Sequence, residues 1–233
     1  MTKIACASDI HGRWREINYP PADILIFAGD IFHNYNDDHP NANEQFNEAK
    51  QLNEFVRTLP YHTVVIIPGN HCWVYEKRSF EEMQNALFNM VLLNSTKALI
   101  HGLKFYGEPG TPWFGQWAYS FPRRDLGVGE YAEQVWNKIP EETEILVTHG
   151  PAYGIRDRVM DSMSRGRDPH VGCPKLRSRL NYLPNLKLHC VGHIHFQYGQ
   201  ERVQLPNASP LVVNASVCNE GYDPVNPIQV VEV

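Results

Sequence analysis

The sequence predicts an α/β fold whose functional site lies at the carboxyl ends of the strands. Three observations carry that expectation. Short uninterrupted apolar runs recur, such as residues 23–28 (Asp-Ile-Leu-Ile-Phe-Ala) and 63–67 (Thr-Val-Val-Ile-Ile). Unbroken runs, rather than alternation, mark strands covered on both faces. Between these two runs, Phe46, Ala49, Leu52, Phe55 and Val56 fall at helical spacing within 41–59, which makes a strand–helix–strand unit. Finally, one strand end after another carries Asp, Asn or His beside a glycine.

In chain order, residues 3–8 form the first expected strand and 23–28 the second. The helix 41–59 leads to the third strand, 63–67. A second helix is expected over 79–93, with Ser79 as N-cap and Phe80, Met83, Leu87 and Val91 on one face. Strands at 97–100 and 103–106 are joined by His101-Gly102, a pair suited to a tight hairpin. The stretch 107–128 is long and rich in Gly, Pro and aromatics. It is either a functional loop or a cap whose Trp113, Phe114 and Trp117 seal a sheet edge. A helix at 130–138, a strand at 144–148, a helix at 173–182 and strands at 187–191, 211–214 and 228–233 complete the chain. With no internal repeat and no linker, 1–233 reads as a single domain.

Composition narrows the function. The 233 residues are 42% hydrophobic and 20% charged with net charge −5, an ordinary globular balance. The negative charge argues against a stable nucleic-acid complex. Five scattered cysteines without C-x-x-C spacing point to a reducing compartment. No apolar run approaches the ~18 residues of a membrane span, and no signal-peptide core precedes the first strand. The expected location is the cytoplasm; the oligomeric state is left open.

The strand ends supply Asp9 and His11, Asp30, Asn70 and His71, His149, and His193 and His195. These donors are too many for one metal and suit two, about 3.5–4 Å apart, sharing a carboxylate. Mixed nitrogen and oxygen donors favour Mn, Fe, Zn, Co or Ni over Ca or Mg.

The order Asp9-Ile10-His11, Gly29-Asp30, Gly69-Asn70-His71, His149, Gly192-His193-Ile194-His195 resembles the calcineurin-like metallophosphoesterase superfamily. Tyr106-Gly107-Glu108-Pro109, Pro112-Trp113-Phe114, Thr148-His149-Gly150-Pro151, Val171-Gly172-Cys173 and Asn214-Ala215-Ser216 narrow the likeness to the metallophosphoesterase-domain-containing phosphodiesterases related to brain protein 239. The resemblance implies a two-sheet β-sandwich core flanked by helices. It implies two divalent transition-metal ions, manganese first among them. Asp9, His11, Asp30 and His195 would hold one ion, and Asp30, Asn70, His149 and His193 the other. His71 would stand over the substrate, stabilising phosphoryl oxygens or protonating the leaving alkoxide. The implied activity is hydrolysis of phosphodiesters, cyclic nucleotides or other small nucleotide diesters among them, by a hydroxide held at the metals, with activity falling below about pH 6. Cys72 stands where the family's third motif usually continues with an acidic residue.

Substrate contacts are expected from the aromatic stretch, with Trp113 as a stacking face, and from 156–179. That segment carries seven basic and three acidic side chains, and Arg165 and His170 are its candidates. The alternative for the basic segment is a solvated face. The rival functions are a nuclease, a phosphomonoesterase or a non-catalytic scaffold of the same fold. An arginine just after Gly29-Asp30, expected for a protein phosphatase, is absent, and every ligand position is filled.

Overall fold

The computed structural model describes residues 1–33, 42–122, 128–164, 166 and 168–233. Strands β1 (Lys3–Ala7), β2 (Ile24–Ala28), β3 (Thr63–Ile67) and β4 (Val91–Leu92) run parallel, and β11 (Gln229–Glu232) pairs antiparallel with β1. A second sheet has the order β5-β6-β7-β8-β10-β9. Its strands are β5 (Thr96–Ile100), β6 (Leu103–Glu108), β7 (Ile145–Thr148), β8 (Leu188–Val191), β9 (Gly199–Arg202) and β10 (Leu211–Asn214). The helices are α1 (Ala42–Val56), α2 (Val74–Lys77), α3 (Phe80–Ala86), α4 (Val128–Trp136), α5 (Asp161–Ser164) and α6 (Pro174–Leu180).

The period-2 geometry of the strands splits their apolar runs between two cores. Ile4, Cys6, Ile24, Ile26, Val65 and Ile67 face the second sheet and meet Phe105, Ile145, Val147, Leu188, Cys190 and Val213. Ala5, Ala7, Leu25, Phe27, Val64 and Ile66 face outward and are covered by Ala49, Leu52 and Val56 of α1 and Met83 of α3. The outer face of the second sheet, through Tyr106, Leu146 and Val212, packs on Trp136 of α4 and Leu176 and Leu180 of α6. The result is the expected pair of sheets flanked by helices.

Helix α3 and several short elements differ from the sequence expectation. The helix foreseen over 79–93 ends at Ala86, and Val91–Leu92 pair with Val65 and Ile66 as a strand. Gln84 turns the chain: its amide donates to the carbonyls of Leu87 and Met90, and its oxygen takes the N–H of Leu92. Leu87, Met90 and Leu92 are all buried in the core that α3 serves, so apolar spacing alone cannot show where the helix stops. The strand β9 and the one-turn helices α2 and α5 carry too little apolar pattern to be foreseen. By contrast, the hairpin at His101-Gly102 is as expected, with φ of 50° and 77°, the paired left-handed geometry of a tight two-residue turn.

Candidate metal centre

The carboxyl ends of β1, β2, β3, β7 and β8 converge, and each strand hands over to a turn bearing Asp, Asn or His. Asp9, His11, Asp30 and His193 all have left-handed backbones, with φ of 51°, 46°, 52° and 68°. Each costs of order 1 kcal/mol for a residue with a Cβ. A lattice of backbone hydrogen bonds holds the first two loops in that form: Asp9 N–H to Gly29 O, Ile10 and His11 N–H to Asp30 O, and Gly12 N–H to Ile31 O, all 2.8–3.0 Å. Strain gathered at one end of the sheets is a pointer to a site.

Two groups of side chains offer converging ligand atoms, each set lying within 4.8 Å of one another: Asp9, His11 and His195; and Asp30, His149 and His193. In the first, His195 Nε2 is 3.4 Å from both Asp9 Oδ1 and His11 Nε2. In the second, His149 Nε2 is 3.0 Å from Asp30 Oδ2 and 2.9 Å from Asn70 Oδ1. The far nitrogens set the tautomers. His149 Nδ1–H donates to Ala28 O and His195 Nδ1–H to Asn219 O, both at 2.9 Å, which turns each Nε2 toward the centre. Asp9 is fixed by the Ser216 hydroxyl at 2.7 Å and the His193 N–H at 2.9 Å. Asp30 Oδ1 takes the N–H of His71 at 2.8 Å.

The electrostatics divide the histidines. Burial alone would raise both carboxyls, but His195 beside Asp9 and His149 beside Asp30 hold them well below the usual carboxylate range. Burial also opposes charge on His149 and His195, yet Asp30 and Asp9 outweigh it and push each imidazole up to about 9. At His11 and His193 burial prevails, and they are pulled down to about 4 and about 3. Burial lowers His71 as well. Each group thus sets a buried carboxylate and one neutral imidazole, His11 or His193, beside a histidine whose proton a cation would replace. The facing Nε2 atoms of His11 and His195 require a cation or a proton between them. Oxygen and imidazole donors without a thiolate fit a divalent transition metal.

A family model described as calcineurin-like phosphoesterase matches residues 2–197, which takes in both ligand groups. The chain belongs to the calcineurin-like phosphoesterase family. It is 32% identical to human metallophosphoesterase domain-containing protein 1 over 254 positions, spanning 100% of this chain and 71% of that protein. It is 28% identical to a UPF0046 protein of Caenorhabditis elegans, across 96% of this chain and 79% of the relative. A probable rhamnogalacturonate lyase C of Emericella nidulans is 29% identical over 97% of this chain, which is 19% of that much longer protein. No helix among the described residues is long and apolar enough to cross a membrane.

Of the residues singled out from the sequence, all seven expected metal ligands and His71 gather at the centre. His71 Nε2 is 4.0 Å from Asp30 Oδ2, and its ring lies edge-on to His11 at 5.1 Å. Within the aromatic stretch, Phe114 lies 5.0 Å from His193 and Trp117 lies 4.4 Å from His71. Trp113, chosen from the sequence as the stacking face, is 44% exposed on the same loop. His170 bonds to the buried Asp157 at 2.6 Å and to Asp168 through its N–H, neither of which belongs to the ligand groups. Arg165 lies outside the described residues. Tyr222 escaped the sequence reading: its ring stands 4.6 Å from His11 and 5.8 Å from His195. No motif surrounds Tyr222, so nothing local pointed to it.

The glycines of the motifs act partly through space. At Gly69 and Gly192 the backbone is not left-handed; the need there is room. A Cβ on Gly192 would collide with Ser8 Oγ and Asp9 Oδ2, both buried. Gly192→Ala must therefore displace the Asp9 carboxylate. The expected result is a metal affinity about 10- to 100-fold weaker by titration calorimetry, and wild-type affinity in this variant would refute the crowding argument.

Proposed function

We propose that this family member is a two-metal phosphodiesterase acting on small nucleotide diesters, cyclic nucleotides included. Asp9, His11, Asp30 and His195 would hold one divalent ion, and Asp30, Asn70, His149 and His193 the other, with Asp30 shared. Manganese is the first choice, with Fe, Zn, Co and Ni as alternatives of similar donor preference. The carrying observation is the pair of three-residue ligand groups, with the His71 imidazole 4.0 Å from the carboxylate of one of them. Residues 1–233 would act as one domain, since the C-terminal β11 completes the sheet begun by β1.

The ions, when bound, would neutralise the diester's charge and bring the pKa of a water near 7. The chain's own residues supply the rest. His71 offers an N–H to a phosphoryl oxygen. Phe114, Trp117 and Tyr222 surround the histidines with aromatic faces, which suit a nucleobase. Cys72 is fully buried with its thiol 4.0 Å from Asp30 Oδ1, and burial pushes that thiol up to about 12; it meets Asp30 as a neutral neighbour.

The test is hydrolysis of bis-p-nitrophenyl phosphate beside p-nitrophenyl phosphate after reconstitution with Mn, Ni, Co or Zn. The diester is expected to be preferred. Inertness toward both esters would remove the enzymatic reading, and preference for the monoester would remove the diesterase reading.

The pH dependence follows from His149 and His195. In the metal-free chain each is raised to about 9, so both carry protons at pH 7, and a cation must displace them. Metal affinity is expected to climb between pH 6 and 8 by up to about 100-fold per pH unit, the limit for two released protons. Calorimetry in buffers of different ionisation enthalpy measures that release. The metal-free fold behaves oppositely. A raised histidine stabilises the folded state fully below pH 6.5 and loses that contribution through pH 9. Its Tm should fall between pH 7 and 9.5, and a flat metal-free Tm over that range would count against these charges.

A further inference from the structure

Helix α1 does more than cover the first sheet. Gln45, in its first turn, is completely buried. Its Nε2 donates to His71 O at 2.7 Å and to His33 O at 3.3 Å, and its Oε1 accepts the N–H of Val74 at 3.0 Å. One carboxamide therefore ties the turn after β3, which bears Asn70 and His71, to the loop after β2, which bears Asp30. One helical turn later, the buried Glu48 accepts from the His33 N–H at 3.0 Å, binds His33 Nδ1 at 2.8 Å and accepts from Trp14 Nε1–H at 3.1 Å. The β2 loop is thereby held against the same helix. From the other side, His71 N–H reaches Asp30 Oδ1 at 2.8 Å. The backbone of His71 is thus pinned at both polar groups, its N–H by Asp30 and its C=O by Gln45. A residue fixed at both ends leaves its side chain little freedom beyond the rotamers.

We propose that Gln45 is a positioning residue for His71, its carboxamide clamping the β3 turn so that the imidazole stays beside Asp30. The proposal rests on the reading that His71 works on the substrate. A buried glutamine with both ends engaged also contributes to folding, so the test separates the two roles. Gln45→Met keeps the length and removes all three hydrogen bonds. Gln45→Glu keeps the acceptor for Val74 and removes the donor to His71.

Hydrogen exchange on the metal-free protein reads the clamp without any reaction. In Gln45→Met the amides of 71–75 are expected to exchange at least tenfold faster, while those of β2 and β3 stay protected. In Gln45→Glu the Val74 amide should remain slow. Unchanged exchange over 71–75 in both variants overturns the clamp. In the diesterase assay, Gln45→Glu is expected to lower kcat by about 10- to 100-fold with KM little changed, the cost of a misplaced group. That loss should vanish in a His71→Ala background. A loss of equal size in that background overturns the link to His71. If wild type hydrolyses neither ester, the functional reading fails, and hydrogen exchange still decides the clamp.

Discussion

Asp30→Asn is expected to abolish diester hydrolysis, with kcat/KM falling by about 10³-fold or more, equivalent to about 4 kcal/mol. The size follows from how many partners one carboxylate serves. Asp30 Oδ2 is 3.0 Å from His149 Nε2 and 4.0 Å from His71 Nε2, while Oδ1 takes the His71 N–H at 2.8 Å. An asparagine has one oxygen for these needs. Its NH₂ must face either the His71 N–H or the point where His149 and His193 converge, and both arrangements set donor against donor or dipole against cation. The residue is 1% exposed, so water cannot take up the mismatch. The metal content should drop from two ions per chain to one or none, as measured by elemental analysis after dialysis. A second readout is independent of metal. Asp30 raises His149 against the pull of burial, so the Asp30→Asn protein should lose His149's part of the alkaline decline in Tm. A variant holding two ions and more than a tenth of the wild-type rate would refute the shared role of Asp30.

The candidate ligand groups could be proposed from the chain because each of their residues follows closely on a strand that is itself legible. A run such as Ile24–Ala28 identifies the strand, and Gly29-Asp30 stands at its end. Register in the parallel sheets then brings the ends together without further information. The surroundings of the ligands could not be read this way. Ser216 reaches Asp9 from 207 residues away, and Tyr222 meets His11 through a loop with no pattern. Gln45 was hidden for another reason. It shares the buried side of α1 with Glu48, Leu52 and Val56, but polar residues on a helix are ordinarily assigned to water. Its burial is explained by the carbonyls of His33 and His71 and the N–H of Val74, all distant in sequence. The aromatic stretch shows the same limit at finer scale. The sequence marked Trp113, Phe114 and Trp117 as a set, and only the structure shows Phe114 and Trp117 standing against histidines of the site.

His71→Ala is expected to lower kcat/KM for diesters by about 10²- to 10³-fold, the usual loss for one well-placed donor to developing phosphoryl charge. Two roles are open to this imidazole, and its surroundings favour one. Its side chain is 13% exposed, its ring packs against Trp117 at 4.4 Å, and burial lowers its pKa from 6.5 in spite of Asp30. At pH 7 it is therefore neutral, and divalent cations nearby would favour the neutral form further. A neutral imidazole delivers a proton poorly but donates a hydrogen bond well. The loss should accordingly be of similar size for diesters with good and poor leaving groups, such as bis-p-nitrophenyl phosphate, which expels nitrophenolate, and a 3′,5′-cyclic nucleotide, which expels a sugar alkoxide. Metal content should stay at two ions, because His71 is not in either ligand group. A loss that grows tenfold or more as the leaving group worsens would reassign His71 as the general acid, since nitrophenolate departs without a proton and an alkoxide does not. A loss of metal from the His71→Ala protein would instead make His71 a ligand, and Asp30, whose Oδ2 it faces, would be the residue that shares its ion.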